Sequence, residues 1–241
     1  MTKFTVTIPT MWKYEPFVDF LSDLARFEAV DEILLINNNP EATPNADVLQ
    51  HPKVKVFNFG GNIGVNPAWN LGVREARNKK ICILNDDVVF DLRAFYHVDP
   101  VLAPEAGIVG ICPGTQDFNQ PPVTTGRIRV IPWAGQHTFG FGCLMWVHQD
   151  AWVVIPDGMD IYYGDNWIFD TQLIMGKTNY IVTDTLFCTP FAATCSKLGD
   201  VDERLDREGM VFNRAMHEFR ENWARAKEPV TIESPGVTIV L

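Results

Sequence analysis

Four short β-rich runs in the first third of the chain, at residues 4–8, 32–36, 54–57 and 81–84, constrain the fold more than any other feature. Between the first two lies residues 16–28, where Phe17, Phe20, Leu21, Leu24 and Phe27 recur at helical spacing. That spacing predicts an amphipathic helix. Between the third and fourth, Asn66-Pro67 reads as a helix start, with a capping amide and a proline at a position that needs no N–H. The order β-α-β-loop-β-α-β predicts a doubly wound α/β unit with right-handed crossovers.

The run Ile81-Cys82-Ile83-Leu84 has the unbroken apolar character of a strand buried on both faces. It ends in Asn85-Asp86-Asp87, at the carboxyl end of the strand, where open α/β sheets bind ligands. Adjacent carboxylates repel one another when desolvated, and a divalent cation is an economical compensation. An acidic turn closing a core strand fits the same residues. Asn37-Asn38-Asn39-Pro40 ends the second strand at the same sheet edge, offering either turn chemistry or hydrogen-bonding groups. Gly60, Gly61 and Gly64 precede the second helix and permit close backbone approach to a ligand, yet neither Gly-x-Gly-x-x-Gly nor a Walker sequence is present.

Beyond Asp91 the pattern loosens. Residues 106–111 predict a strand, and residues 113–125, polar and with three prolines, predict a long loop. Arg127 and Arg129 alternate with Ile128 and Val130, a strand with one basic face and a structural role. Residues 140–147 predict a buried strand whose Gly140 and Gly142 admit a close neighbour. Tyr162-Tyr163-Gly164-Asp165-Asn166 leads into a helix from Trp167 to about Met175, ended by Gly176. On local grounds Asp165 or Asn166 is its N-cap. Residues 180–182 predict a further strand. Residues 202–227 predict an amphipathic surface helix with Phe212, Met216, Phe219 and Trp223 on its inner stripe.

The composition, 46% apolar and 21% charged over 241 residues, suits one globular domain spanning 1–241. No apolar stretch approaches the roughly 18–20 residues of a membrane span. The N-terminal pattern is a strand rather than a signal peptide. Five cysteines without Cys-x-x-Cys spacing point to reduced thiols and a cytoplasmic location, the host's cytoplasm if the chain is viral. A net charge of −10 argues against broad attraction to nucleic acid or anionic membrane.

Taken together, these segments resemble the GT-A glycosyltransferases, most closely the family-2-like enzymes, over roughly residues 3–195. The resemblance rests on Thr5-Val6-Thr7-Ile8-Pro9-Thr10, Asn37-Asn38-Asn39, Asn62-Ile63-Gly64 through Asn70-Leu71-Gly72, and Leu84-Asn85-Asp86-Asp87. Gly140-Phe141-Gly142 and Gly164-Asp165-Asn166-Trp167 agree with the acceptor half of such enzymes. It implies a GT-A type, Rossmann-like doubly wound mixed sheet flanked by helices in a single domain. About 1–91 would bind the nucleotide sugar, about 92–200 the acceptor, and about 201–228 would form the C-terminal helix. The implied activity is metal-dependent transfer of a hexosyl or pentosyl group from a nucleotide-diphosphate sugar to an acceptor hydroxyl, with inversion. Mn²⁺ or Mg²⁺ would offset the charge of the leaving pyrophosphate.

On this resemblance Asp87 would be the direct metal ligand with Asp86 beside it. Pro9, Thr10, Asn38, Asn62, Asn66, Asn85 and Asp86 would line the donor site. Asp165 would be the base, and Gly142, Tyr163 and Trp167 would meet the acceptor, with Tyr162 adding to the same wall. Acceptors in such enzymes include glycans, small molecules and hydroxymethylated bases of viral DNA. The chain departs from the family at Asn85, which replaces the first acid of Asp-x-Asp, and at Gly164, where Glu is frequent. Residues 191–196 contain no histidine to complete a metal site, and His217 falls on the amphipathic helix. Two other readings share the α/β site: a nucleotidyltransferase or sugar-nucleotide pyrophosphorylase, and a non-catalytic nucleotide-sugar-binding module.

Overall fold

The computed structural model describes residues 2–111, 116–117, 124–137, 140–185, 187–189, 200–227, 231–234 and 237–240. The strands are β1 (Phe4–Thr10), β2 (Val30–Asn37), β3 (Val54–Asn58), β4 (Lys80–Leu84), β5 (Val89–Phe90), β6 (Val109–Ile111), β7 (Gln116–Asp117), β8 (Thr124–Trp133), β9 (Leu144–His148), β10 (Asn179–Thr185), β11 (Phe187–Cys188), β12 (Thr231–Ser234) and β13 (Val237–Val240). The α-helices are α1 (Phe17–Arg26), α2 (Val65–Glu75), α3 (Ala94–Val98), α4 (Gly164–Ile174) and α5 (Val201–Ala226).

Eight strands form one sheet in the order β3-β2-β1-β4-β9-β6-β10-β8. β3, β2, β1 and β4 run parallel, as the βαβ pattern requires, while β9 is antiparallel to both β4 and β6. β10 is parallel to β6 and antiparallel to β8, so the sheet is mixed. A small second sheet orders β5-β11-β7, and β12 and β13 form a hairpin.

Strand alternation sorts the apolar residues onto the two faces. Phe4, Val6, Ile8, Cys82 and Leu84 pack with Phe17, Leu21 and Leu24 of α1 and Phe95 of α3. Ile81, Ile83, Met145 and Val147 pack on the other face with Trp69 and Val73 of α2, Ile168 and Phe169 of α4, and Met216 of α5. β1 is buried at every position, including its threonines. Thr5 Oγ1 bonds Glu32 Oε2 at 2.7 Å, which satisfies a hydroxyl that burial would otherwise penalise.

Two local expectations change and a third holds. β9 begins only at Leu144, because Phe141–Cys143 is a 3₁₀ turn entered through Gly140 at φ 79°. Residues 116–117 and 124–133 are strand segments within or adjoining the expected loop; its residues 113–115 and 118–123 lie outside the described residues. Arg127 and Arg129 are both exposed on β8, and Arg129 pairs with Asp184, which gives it the structural role expected.

Candidate active site

Sheet register decides where the acidic turn falls. Phe4 pairs with Lys80 and Thr7 with Ile83, so extending the register by three positions sets Asp86 opposite Thr10. There Asp86 Oδ2 accepts Thr10 Oγ1–H at 2.7 Å and Met11 N–H at 2.9 Å. Asp86 is thus a tie between the ends of two parallel strands. Burial pushes its carboxyl up while these donors pull it down, with burial prevailing. Asp87 beside it is pushed up to about 6, first by burial and then by the Asp86 charge. Asn85 Oδ1 is buried without a hydrogen-bond partner among the described residues.

Two residues that the sequence did not single out flank this turn. Tyr14 has its phenol pushed up by burial, by Cys188 and by Asp87. β11 brings Cys188 there by pairing antiparallel with β5, Cys188 opposite Val89. A hard cation suits the oxygen donors of Asp87 and Asp86, since it would offset the burial that raises both carboxyls and the Asp86 charge that raises Asp87 further. Among the described residues no group of three His, Cys, Asp or Glu side chains is placed to hold a metal. Phosphate oxygens and water would complete the shell of a magnesium-like ion held by one or two carboxylates.

The asparagine edge is a self-bonded frame. Asn37, fully buried, accepts from Trp12 Nε1 and Asn39 N and donates to Thr43 Oγ1 and Asn58 Oδ1. Asn38 accepts Ile63 N–H at 3.1 Å and donates to the Gly64 carbonyl, which holds the glycine loop against the sheet edge. Asn62 is exposed, with Oδ1 on Gly64 N at 2.8 Å. Asn66 is not the cap of α2. The helix starts from Gly64 at φ 91°, and the Asp160 carbonyl takes the N–H groups of Val65 and Asn66. Asn66 instead turns inward, donating to the carbonyls of Met159 and Tyr162. Pro9, Thr10, Asn38 and Asn66 are all buried, so they shape this edge of the sheet, while Asn62 and Asn85 are the more accessible asparagines.

Asp165 is likewise not an N-cap. Tyr163 holds that position at φ 62°, and Asp165 lies in the first turn of α4. Its Oδ2 accepts Gly142 N–H at 3.1 Å and lies 3.0 Å from His137 Nε2. Gly142 is required there because a Cβ would come within 2.9 Å of the Asp165 side chain. Gly142 therefore holds the carboxylate. Trp167, expected in the acceptor wall, belongs to the core: it is 4% exposed, donates Nε1–H to the Val154 carbonyl and meets Phe219 edge-on. Tyr163 does face the cavity, and its ring stacks on Phe212 of α5 at 5.4 Å. Glu208 of α5, completely buried, accepts the N–H groups of Ile161 and Tyr162 and so anchors the segment before α4. His217 is exposed and pairs with Glu221 on the same helix, as a surface histidine would.

One cavity of about 470 Å³ joins these parts. Asn85 of the acidic turn lines it, as do Asp165, His137, Gly142, Tyr162 and Tyr163, and α5 contributes Leu205. The arrangement puts a carboxylate, two tyrosines and Asn85 of the acidic turn on one chamber. A carboxylate there can take a proton from a hydroxyl seated in the chamber.

The family model for glycosyl transferase family 2 matches residues 5–152, more than half of the chain. The chain belongs to glycosyl transferase family 2. The match takes in the acidic turn, His137 and Gly142, and stops before α4 and α5. Solved structures share the GT-A fold. S. aureus TarS 1-349 in complex with UDP aligns at a TM-score of 0.55 with 13% identity, over 78% of this chain and 60% of that one. The mannosyltransferase PcManGT from Pyrobaculum calidifontis, in complex with GDP-Man and Mn²⁺, aligns at 0.56 with 14% identity, over 80% and 58%. This family 2 chain thus spans about three-fifths of those structures' lengths. No curated protein matches it.

Proposed function

We propose that this family 2 chain transfers a hexosyl or pentosyl group from a nucleotide-diphosphate sugar to an acceptor hydroxyl, with inversion and with a divalent cation. The observation that carries this reading is the single cavity lined by both Asn85, next to the carboxylate pair, and Asp165. Asp87, with Asp86 beside it, would hold Mn²⁺ or Mg²⁺, which would stabilise the charge of the departing nucleoside diphosphate. Asn62 and Asn85 would meet the donor, while Thr10, Asn38 and Asn66 keep its edge in shape. Asp165 takes the acceptor proton, and Tyr162 and Tyr163 wall the acceptor. PcManGT, with GDP-Man and Mn²⁺, supports the donor class and the metal.

A glycan or small-molecule acceptor fits better than hydroxymethylated DNA. The net charge is −10, and of the two arginines that would form a basic path, Arg129 is already paired with Asp184. Among the described residues Cys82, Cys143 and Cys188 are thiols rather than disulfides, which supports a cytoplasmic location. Among the described residues no helix is long and apolar enough to cross a membrane.

Thermal unfolding with UDP, GDP, CDP or dTDP, each with and without Mn²⁺, tests the reading. A rise in Tm that needs both Mn²⁺ and one nucleotide is the expected result, because a ligand of the native state adds to its stability. No rise with any pair would make the acidic turn purely structural and remove the transferase assignment.

A further inference from the structure

We propose that His137 is the positioning residue for Asp165: its Nε2–H and the Gly142 N–H together occupy Oδ2, so that Oδ1 is the oxygen presented to the acceptor hydroxyl. The inference rests on the reading of Asp165 as the base.

The geometry has three parts. Among the described residues Oδ2 has two neighbours, Gly142 N at 3.1 Å and His137 Nε2 at 3.0 Å, whereas Oδ1 accepts only the adjacent Asn166 N–H at 3.1 Å. An ionised carboxylate only accepts hydrogen bonds, so the contact requires the proton on Nε2. The imidazole is itself held in place, with its centroid 5.6 Å from the rings of both Phe141 and Phe169. Finally, the segment that delivers His137 is braced. Trp133 Nε1–H donates to the Gln136 carbonyl at 3.0 Å, and Gly135 lies under the indole where a Cβ would come within 2.5 Å. Asp170 on α4 is a further charge near this imidazole; its carboxyl is raised by burial, against the pull of His137 and of Arg220 on α5.

In the transfer step the acceptor oxygen bonds to the anomeric carbon. The bond from that carbon to the donor phosphate oxygen breaks, and the nucleoside diphosphate leaves with the electron pair. The acceptor proton passes to Oδ1 of Asp165. His137 keeps its proton throughout and acts only through the carboxylate, which it stops from rotating away from the cavity.

Two measurements test this. The first is nucleoside diphosphate release from UDP-glucose, UDP-GlcNAc, GDP-mannose and dTDP-glucose with Mn²⁺ and water as acceptor. His137→Ala is expected to lower kcat about 100-fold, the usual cost of a misplaced reacting group, with the donor KM unchanged. His137→Gln, which can offer an N–H near the Nε2 position, is expected to recover most of that loss. A wild-type rate in His137→Ala with Asp165→Asn inactive would overturn the inference alone. An active Asp165→Asn would overturn the base reading and this inference with it. The second measurement, long-range ¹⁵N spectra of the imidazole in the full chain, needs no donor. Protonated Nε2 at neutral pH in the wild type, shifting toward an Nδ1–H mixture in Asp165→Asn, is expected. A bare Nε2 in the wild type would overturn the proposal.

Discussion

The two acids of the turn have separate tasks although they are adjacent. Asp86 spends Oδ2 on Thr10 and Met11, which leaves Asp87 as the carboxylate with unmet charge. Asp87→Ala is therefore expected to abolish both turnover and the Mn²⁺-dependent rise in Tm, read in the nucleotide series. The raised carboxyl also has a consequence for the metal-free protein. Its pKa is about 6 in the folded state against 3.8 ordinarily, so the folded state binds more protons than the unfolded state between those values. Stability then falls as pH rises through that window and levels off above it. Asp87→Asn removes the penalty and is expected to stabilise the metal-free protein by up to about 3 kcal/mol at pH 7. Urea unfolding at several pH values checks this, and the gain should vanish below about pH 4. Unchanged stability at pH 7 would mean that the turn does not strain its carboxylates.

At the scale of elements, two contacts set how helices meet the sheet. Gly72 of α2 lies on Thr7 of β1 so closely that a Cβ would sit 1.8 Å from the threonine Oγ1. Gly72→Ala must push the helix off the strand, and a loss of about 2–3 kcal/mol is expected from urea midpoints. α5 is held differently. Most of its residues are exposed, but Glu208 is completely buried with two backbone N–H groups on Oε2. Glu208→Ala leaves those donors without a partner and is expected to cost about 2–4 kcal/mol, and Glu208→Gln, which keeps an acceptor, markedly less. Equal losses in the two variants would assign the effect to packing. Gly72 was visible in the sequence as part of the Asn70-Leu71-Gly72 run. Glu208 was not, since one more acid on a mixed-charge amphipathic helix reads as solvated until its partner segment is known.

For the whole molecule, charge is the lever. At −10, with Arg129 engaged by Asp184, the protein is expected to show no salt-dependent binding to hydroxymethylated duplex DNA. Fluorescence anisotropy between about 50 and 200 mM salt would show it, because neutralising 6–10 phosphates would lose about 10³–10⁵ in affinity over that range. A steep slope would move the acceptor to DNA. The two halves of the sheet meet at β4 and β9, and that antiparallel junction brings the turn after β4 toward the Gly142 segment, with Asn85 N bonded to the Cys143 carbonyl at 3.0 Å.

The parallel half of the sheet and its two long helices were legible in the sequence, because buried strands and amphipathic helices write their periods into the order of apolar residues. The acidic turn was legible too, since its place follows from where a core strand ends. The roles of individual polar residues were decided only by tertiary structure. Asn66 and Asp165 both look like N-caps from their neighbours, yet one bonds carbonyls 93 and 96 residues away and the other meets Gly142 and His137, 23 and 28 residues before it. Trp167 reads as a stacking wall and proves to be core, and His137 carries no local signal. A hydrogen bond made across such separations leaves no periodic trace in the chain, so these roles appear only when the sheet and helices bring the partners together.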